Sequence, residues 1–152
     1  MALFKFRLAP VLRLREHIKE QKHWELRALH ETRRQMVMEI DALERELTEN
    51  GLLSTEGQIF TVMDLQLRAE HNQSLARRIS SKRDTVAKFD DQLSEKRAEL
   101  VEAMRAVKSL ERLRQRHEER YWREQNAAEQ KFGDEIGLRK YSLPENGKKI
   151  PS

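Results

Sequence analysis

The chain has 152 residues, enough for one domain, and 37% of them are charged while none is cysteine. Helix formers dominate, with only three Pro and five Gly, which reads as long helix or coiled coil and argues against a large closed core. Lack of cysteine excludes disulfides and thiolate chemistry and fits a reducing cytoplasm. The net charge of +4 is spread over interleaved acids and bases, as on a solvated coiled-coil surface.

The opening stretch FKFRLAPVLRLRE (residues 4 to 16) changes period as it runs. Phe4, Phe6 and Leu8 alternate with Lys5 and Arg7 in strand-like steps of two. Helical spacing follows from Leu8, and Pro10 suits a first helical turn, where its missing N–H has no partner to lose. Nothing here resembles a secretory signal, because no apolar stretch follows the basic residues. No run of about 18 apolar residues occurs anywhere, so no membrane span is expected.

The first helix is predicted from about Leu8 to Glu49. Its first half places Leu8, Val11, Arg15, Ile18 and Lys22 on the seam. Its second half places Leu26, Leu29, Arg33, Met36, Ile40, Leu43 and Leu47 there. The four-residue step from Lys22 to Leu26, where three is due, reads as a stutter. The turn is predicted at about residues 50–54. Asn50-Gly51 would cap the first helix with Gly51 at positive φ. Thr55 to Gln58 has capping-box spacing for the second.

The second helix is predicted from about residue 55 to 141. Leu65, Asn72, Ile79, Val86, Leu93, Leu100 and Val107 recur every seven residues. Arg68, Leu75, Lys82, Phe89, Lys96, Ala103 and Leu110 form the alternate series. Six of the first seven are apolar, the mark of a coiled-coil a position, and a buried Asn72 would fix register at some cost in stability. After Leu110 the same register turns polar. The expected fold is therefore all-α: two long helices in an antiparallel coiled-coil hairpin, the second longer and overhanging. Folding about residue 53 would bring Leu8 to the region of residue 98. Leu110, Leu113, Tyr121 and Trp122 would then overhang and need another chain to cover them. Gly133 and Gly137 predict fraying or a bend, and residues 142–152, with two Pro and no periodicity, read as a disordered tail.

Charge sorts along the chain. Residues 1–30 carry seven Lys/Arg against three Glu, and residues 31–104 carry eleven basic against fifteen acidic residues. Residues 105–125 carry seven against four. In the hairpin the open end is basic and the turn end acidic, a polarity that can orient the molecule between partners.

No chemistry of catalysis is legible. The five histidines show no HExxH or tract, no Gly-rich loop precedes a Lys-Ser/Thr pair, and Asp90-Asp91 lies on adjacent helical faces without a cleft. The expectation is a non-enzyme without cofactor or metal. Nucleic acid is not expected as a partner, since the densest basic stretch, residues 112–124, is interrupted by three Glu and spreads its Arg around the helix. An interfacial membrane helix is not expected either, for want of a broad apolar face.

Two stretches resemble the FliJ family of flagellar export proteins. At the start the match rests on Phe4, Phe6, Leu8, Val11, Leu12, Leu14, Arg15 and Glu16, the family's F-x-F-x-L and V-L-x-L-R-E. Near the other end it rests on Lys108, Leu110, Glu111 and Leu113, then Asp134, Glu135, Ile136 and Arg139. The resemblance implies a soluble, stalk-like coiled coil of the flagellar type III export apparatus, cytoplasmic and held at the inner membrane only through partners. It implies three partners: the export ATPase hexamer, the cytoplasmic domain of the export gate, and export chaperones. At the ATPase end the candidate contacts are Phe4, Phe6, Leu8, Val11, Leu110, Leu113, Tyr121 and Trp122. Phe4, Phe6 and Leu8 either close that end against the second helix or touch the ATPase. At the turn, exposure and position alone suggest Leu52, Leu53, Ile59, Phe60 and Met63 for the gate. Two competing readings share the fold: the equivalent stalk of a virulence injectisome, and an unrelated cytoplasmic adaptor or holdase.

Overall fold

The computed structural model describes residues 3–52 and 59–142. Two helices, α1 (Ala9–Leu52) and α2 (Val62–Ser142), pack as an antiparallel hairpin in which α2 is the longer. No strand occurs among the described residues. Leu53 to Gln58 and the tail after Ser142, including the expected Thr55–Gln58 cap and the expected disorder, lie outside the described residues. The chain divides into two compact units. The larger spans residues 15–106, and the smaller joins residues 1–14 to residues 107–152.

In the larger unit the inward positions follow the heptad. On α2, Asn72, Leu75, Ile79, Lys82, Val86, Phe89, Leu93, Lys96, Leu100 and Ala103 are all buried or half-buried. On α1 an unbroken 3-4 run of covered positions leads from Lys19 through Lys22, Leu26, Leu29, Arg33, Met36, Ile40, Leu43 and Leu47 to Asn50. The step from Lys22 to Leu26 belongs to that run, so the irregularity lies further upstream than the sequence suggests. Ile40, Leu43, Leu75 and Ile79 form the apolar core, with Leu47 and Val86 packed against it. Leu75 is the most deeply buried, at 1% exposure.

Helix ends differ from expectation for local reasons. Gly51 stays helical with no left-handed backbone, and α1 continues to Leu52. On α2, Ile59 to Thr61 precede the helix instead of belonging to it. Thr61 and Asp64 form a reciprocal cap. The Thr61 N–H donates to Asp64 Oδ2 at 3.0 Å, and the Asp64 N–H donates to Thr61 Oγ1 at 3.2 Å. Two otherwise orphaned backbone donors are thus satisfied. The Thr61 hydroxyl also donates to Asp64 at 2.6 Å, which holds the Asp64 carboxyl below its ordinary value.

The register is displaced from the one a tight turn would give. Lys22 meets Glu99 and Glu25 meets Lys96, so the midpoint of the pairing falls near Thr61, not near residue 53. Heptad spacing from these pairs sets Leu29 across from Leu93, Ile40 across from Lys82 and Asn50 across from Asn72. The last turn of α1 is level with Glu70, and Val62 to Ala69 run on past it. Leu65, placed on the seam by its spacing, is therefore 53% exposed.

In the smaller unit, Leu3 to Phe6 is irregular and extended, then turns into α1 through an Ala9 N–H bond to the Phe6 carbonyl at 3.1 Å. The alternation in the sequence is realised: Phe4, Phe6 and Leu8 are covered, while Lys5 and Arg7 are exposed. Leu12, not Val11, is the buried residue that follows, and on α2 Val107 is its equal in burial. Val11 is 41% exposed. Arg15, the other expected seam residue, is exposed as well, and Glu16 is covered in its place. Leu8 and Leu12 lie four apart on one helical face, so once Leu8 is fixed beside the turn the inward stripe passes through Leu12. Farther along, α2 passes through Gly133 and Gly137 without interruption, with open space around each.

Candidate functional site

Two surfaces collect the residues singled out from the sequence, one in each unit. In the smaller unit the extended segment lays its rings on α2. The Phe4 ring lies 5.7 Å from that of Tyr121, and Phe6 meets His117 edge-on at 5.9 Å. Tyr121 in turn stands edge-on to Trp122 at 5.5 Å. Such tilted and T-shaped pairs suit the ring quadrupoles. Phe4, Leu8, Leu110, Leu113 and Tyr121 are half-buried and Phe6 is buried within the unit. Val11, Leu14 and Trp122 remain open, Trp122 at 46% exposure. The segment thus closes on the second helix within its own unit, and reaches along α2 as far as Tyr121. The side chains of α2 from Trp122 to Ser142 are almost all exposed, Phe132, Leu138 and Tyr141 among them.

Cations frame this surface. Arg112, Arg116 and Arg120 follow one another at i, i+4 and i+8, and Arg123 falls at i+11 on the same side of the helix. Only Arg114 of this group lies opposite. The arginines are more one-sided than their even spread along the sequence suggests. Glu119 lies among them, accepting from Gln115 at 3.2 Å and pairing with Arg123 at 3.6 Å.

The second surface is at the start of α2 in the larger unit. Ile59, Val62, Met63, Leu65 and Leu67 are exposed by half or more, and Ile59 is almost fully bare. Phe60 is half-buried, with the Arg68 guanidinium 4.6 Å above its ring. The Leu52 side chain and Leu53 lie outside the description. Sequence reasoning found Ile59, Phe60 and Met63 but not Val62, Leu65 and Leu67. The signal was the apolar density of residues 59–67, which heptad counting assigned in part to the seam.

Within the larger unit, charges cross the seam in an ordered series. Lys22 donates to Glu99 at 2.9 Å, and Lys96 donates to Glu25 at 3.1 Å and to Glu99 at 3.3 Å. Lys22 also lies 3.7 Å from Glu25, so signs alternate around a square. The Lys96 bond holds the Glu25 carboxyl below its ordinary value, and the Lys22 bond does the same for Glu99. Both ammonium groups are raised in turn, Lys22 through Glu99 and Lys96 through Glu25. Arg33 pairs with Asp90, Lys82 with Glu39 at 2.6 Å, Arg83 with Glu44, and His71 stands 3.2 Å from Glu46. Lys22, Arg33, Lys82 and Lys96, all half-buried at inward positions, thus lay their stems on the seam and send their heads to carboxylates of the other helix. Asn72 is the exception. Its Oδ1 is buried with no hydrogen-bond partner among the described residues.

Among the described residues, no group of three or more His, Cys, Asp or Glu is placed to hold a metal ion, and no helix is long and apolar enough to cross a membrane. The grooves between side chains are shallow and open. What the arrangement offers is surface, apolar at one place and aromatic with cations at the other.

Residues 4–146 match the family described as Flagellar FliJ protein. No curated protein and no solved structure matches the chain.

Proposed function

This chain belongs to the flagellar FliJ protein family, a coiled-coil protein related to flagellar export, and from that premise we propose that it is a non-catalytic coupling element between the export ATPase hexamer and the export gate. The ATPase contact is assigned to the smaller unit, through Trp122, Val11 and Leu14 beside the Phe4–Tyr121 closure. The gate contact is assigned to the apolar start of α2, Ile59 to Leu67. Escort of export chaperones is a further role that family membership suggests.

One observation carries the assignment of ends. The smaller unit has fourteen Lys/Arg against eight Asp/Glu, net +6, and the larger has sixteen against eighteen, net −2. A cationic surface with a bare Trp suits an acidic protein lining, since Trp and Arg supply the largest anchors of protein interfaces. The carboxylates of Glu119 and Glu124 beside the arginine stripe would repel a phosphate backbone, which favours a protein partner over nucleic acid. At the other surface, five exposed apolar side chains rimmed by Asp64 and Arg68 suit an apolar groove with a polar edge.

The test mixes the chain with the flagellar export ATPase of the same cell and follows ATP hydrolysis and hexamer assembly. The expected result is a rise in both that is lost on deleting residues 1–16 and reduced at least tenfold in affinity by Trp122→Ala. Unchanged hydrolysis together with no co-elution would contradict the reading.

A further inference from the structure

Leu65 poses the question. Its heptad position is that of a seam residue, yet it is 53% exposed because α1 ends before reaching it. Sliding α2 by one heptad would place Leu65 across from Asn50 and bring the end of α1 level with Met63. The apolar seam tolerates that slide. Ile40 would face Leu75 in place of Lys82, and Met36 would face Ile79 in place of Val86. Hydrophobic pattern alone therefore leaves two registers open, and the shifted one covers more of the apolar start of α2.

The charges do not leave both open. In the shifted register each α1 residue meets the residue seven earlier on α2. Lys22 would then face Gln92 in place of Glu99, and Glu25 would face Phe89 in place of Lys96. Glu39 would face Leu75, and Glu44 would face Ala76. Two contacts would become like-charged, Arg33 with Arg83 and Glu46 with Asp64. Of the six cross-helix charge contacts in the structure, two would find a substitute, since Glu99 would come to Arg15 and His71 to Glu39, and four would find none. On the seam itself, Arg33 would lie across from Lys82. Asn72 would leave its place across from Asn50 and enter the apolar cluster beside Leu43, where an amide is costlier to bury.

We infer that the seam charges are a register lock: they hold α2 one heptad away from the register that level helix ends would favour, and so keep Leu65 and its apolar neighbours at the start of α2 exposed. Single exposed ion pairs stabilise little. A set that loses four of its six members at once in the competing register, and gains two like-charged contacts there, discriminates better than it stabilises. The inference concerns this chain's own pairing and stands whether or not the gate is what docks on the exposed face.

The absence of cysteine in the chain makes the test clean. Leu29→Cys is combined with Leu93→Cys, which reports the observed register, or with Val86→Cys, which reports the shifted one. With native charges the 29–93 disulfide should form at least tenfold faster than 29–86. Equal rates would overturn the lock at once. The variant R83D/D90N/Q92E/E99Q moves the carboxylates that face Arg33 and Lys22 one heptad earlier. In it, 29–86 should become the faster pair. Maleimide labelling of a separate Leu65→Cys reporter should fall several-fold. The variant E46Q/K82Q/R83Q/D90N/K96Q/E99Q, which removes all six cross-helix contacts, should bring the two disulfide rates to within a few-fold of each other, and it decides the matter if the first variant loses helicity. A tenfold preference for 29–93 that survives neutralisation would show that packing alone sets the register.

Discussion

Between Arg15 and Ala106 the chain pairs helix with helix, and a thin apolar seam is interrupted again and again by cations that reach across to carboxylates. In the smaller unit an irregular segment lies on a helix through aromatic rings, and the cations around it point outward. Two helices of similar pattern can pair in more than one register, so the larger unit needs directional contacts. An extended segment with Phe at every second residue needs none, because each ring has one patch of α2 beneath it. Specificity comes from charge in one region and from shape in the other.

The sharpest way to break the larger unit is at its apolar cluster. Leu75→Ala should lower stability by about 2 to 5 kcal/mol, the range for a buried Leu that leaves a cavity. Urea unfolding followed by helical circular dichroism measures it. A loss below about 1 kcal/mol would mean that the cluster does not carry the pairing. Phe6→Ala should cost up to about 3 kcal/mol, but locally. Amide exchange should quicken from Leu8 to Leu14 and near His117, while the rates around Leu75 stay as they were. If both regions quicken alike, the two units are a single cooperative body and the comparison fails.

Asn72→Leu reverses the sign. Removing a buried amide oxygen that lacks a partner should raise stability by about 1 to 3 kcal/mol, read from the same urea midpoint. The gain should come with a slower-resolving register, visible as a second set of α2 amide signals. A destabilised variant would mean that the amide finds a partner in solution.

The smallest effect is the pH profile of the charge square. Glu25 and Glu99 have carboxyls held below their ordinary value of 4.5 by Lys96 and Lys22, so their contribution is full above that value and is lost as pH falls through the lowered one. Lys22 and Lys96 are raised above 10.5, so theirs is full below it and is lost as pH rises through the raised value. The double variant E25Q/E99Q should flatten the acid limb of the unfolding midpoint between about pH 5 and pH 2. It should leave the region from pH 6 to 9 level. An acid limb identical to that of the parent would show that these pairs are lost in solution.

Much of this was legible in the sequence. From Asn72 to Leu110 the heptad picks inward residues without a miss, because a 3.5-residue repeat kept over many turns leaves one stripe to bury. The period-2 spacing of Phe4, Phe6 and Leu8 likewise names the covered side chains. What failed was geometry that depends on the turn. Thr55–Gln58 and Thr61–Asp64 both have capping-box spacing, and the sequence does not say which one starts the helix. Choosing the earlier cap shifted the pairing, which misplaced Leu8 relative to α2 and made Leu65 look buried. Val11 and Leu12 are both apolar, and only the turn at Phe6–Ala9 decides between them. The candidate surfaces follow the same division. The aromatic end was visible as unusual residues, whereas Val62, Leu65 and Leu67 became visible as a surface only once the register was known.

The most direct test of the proposed division of labour is amide exchange of the whole chain, alone and bound to the export ATPase hexamer. Slowed exchange is expected over Leu3 to Leu14 and from Leu110 to about Arg123, with residues 62–69 unchanged. Protection at residues 62–69 with none around Phe6 and Tyr121 would contradict it.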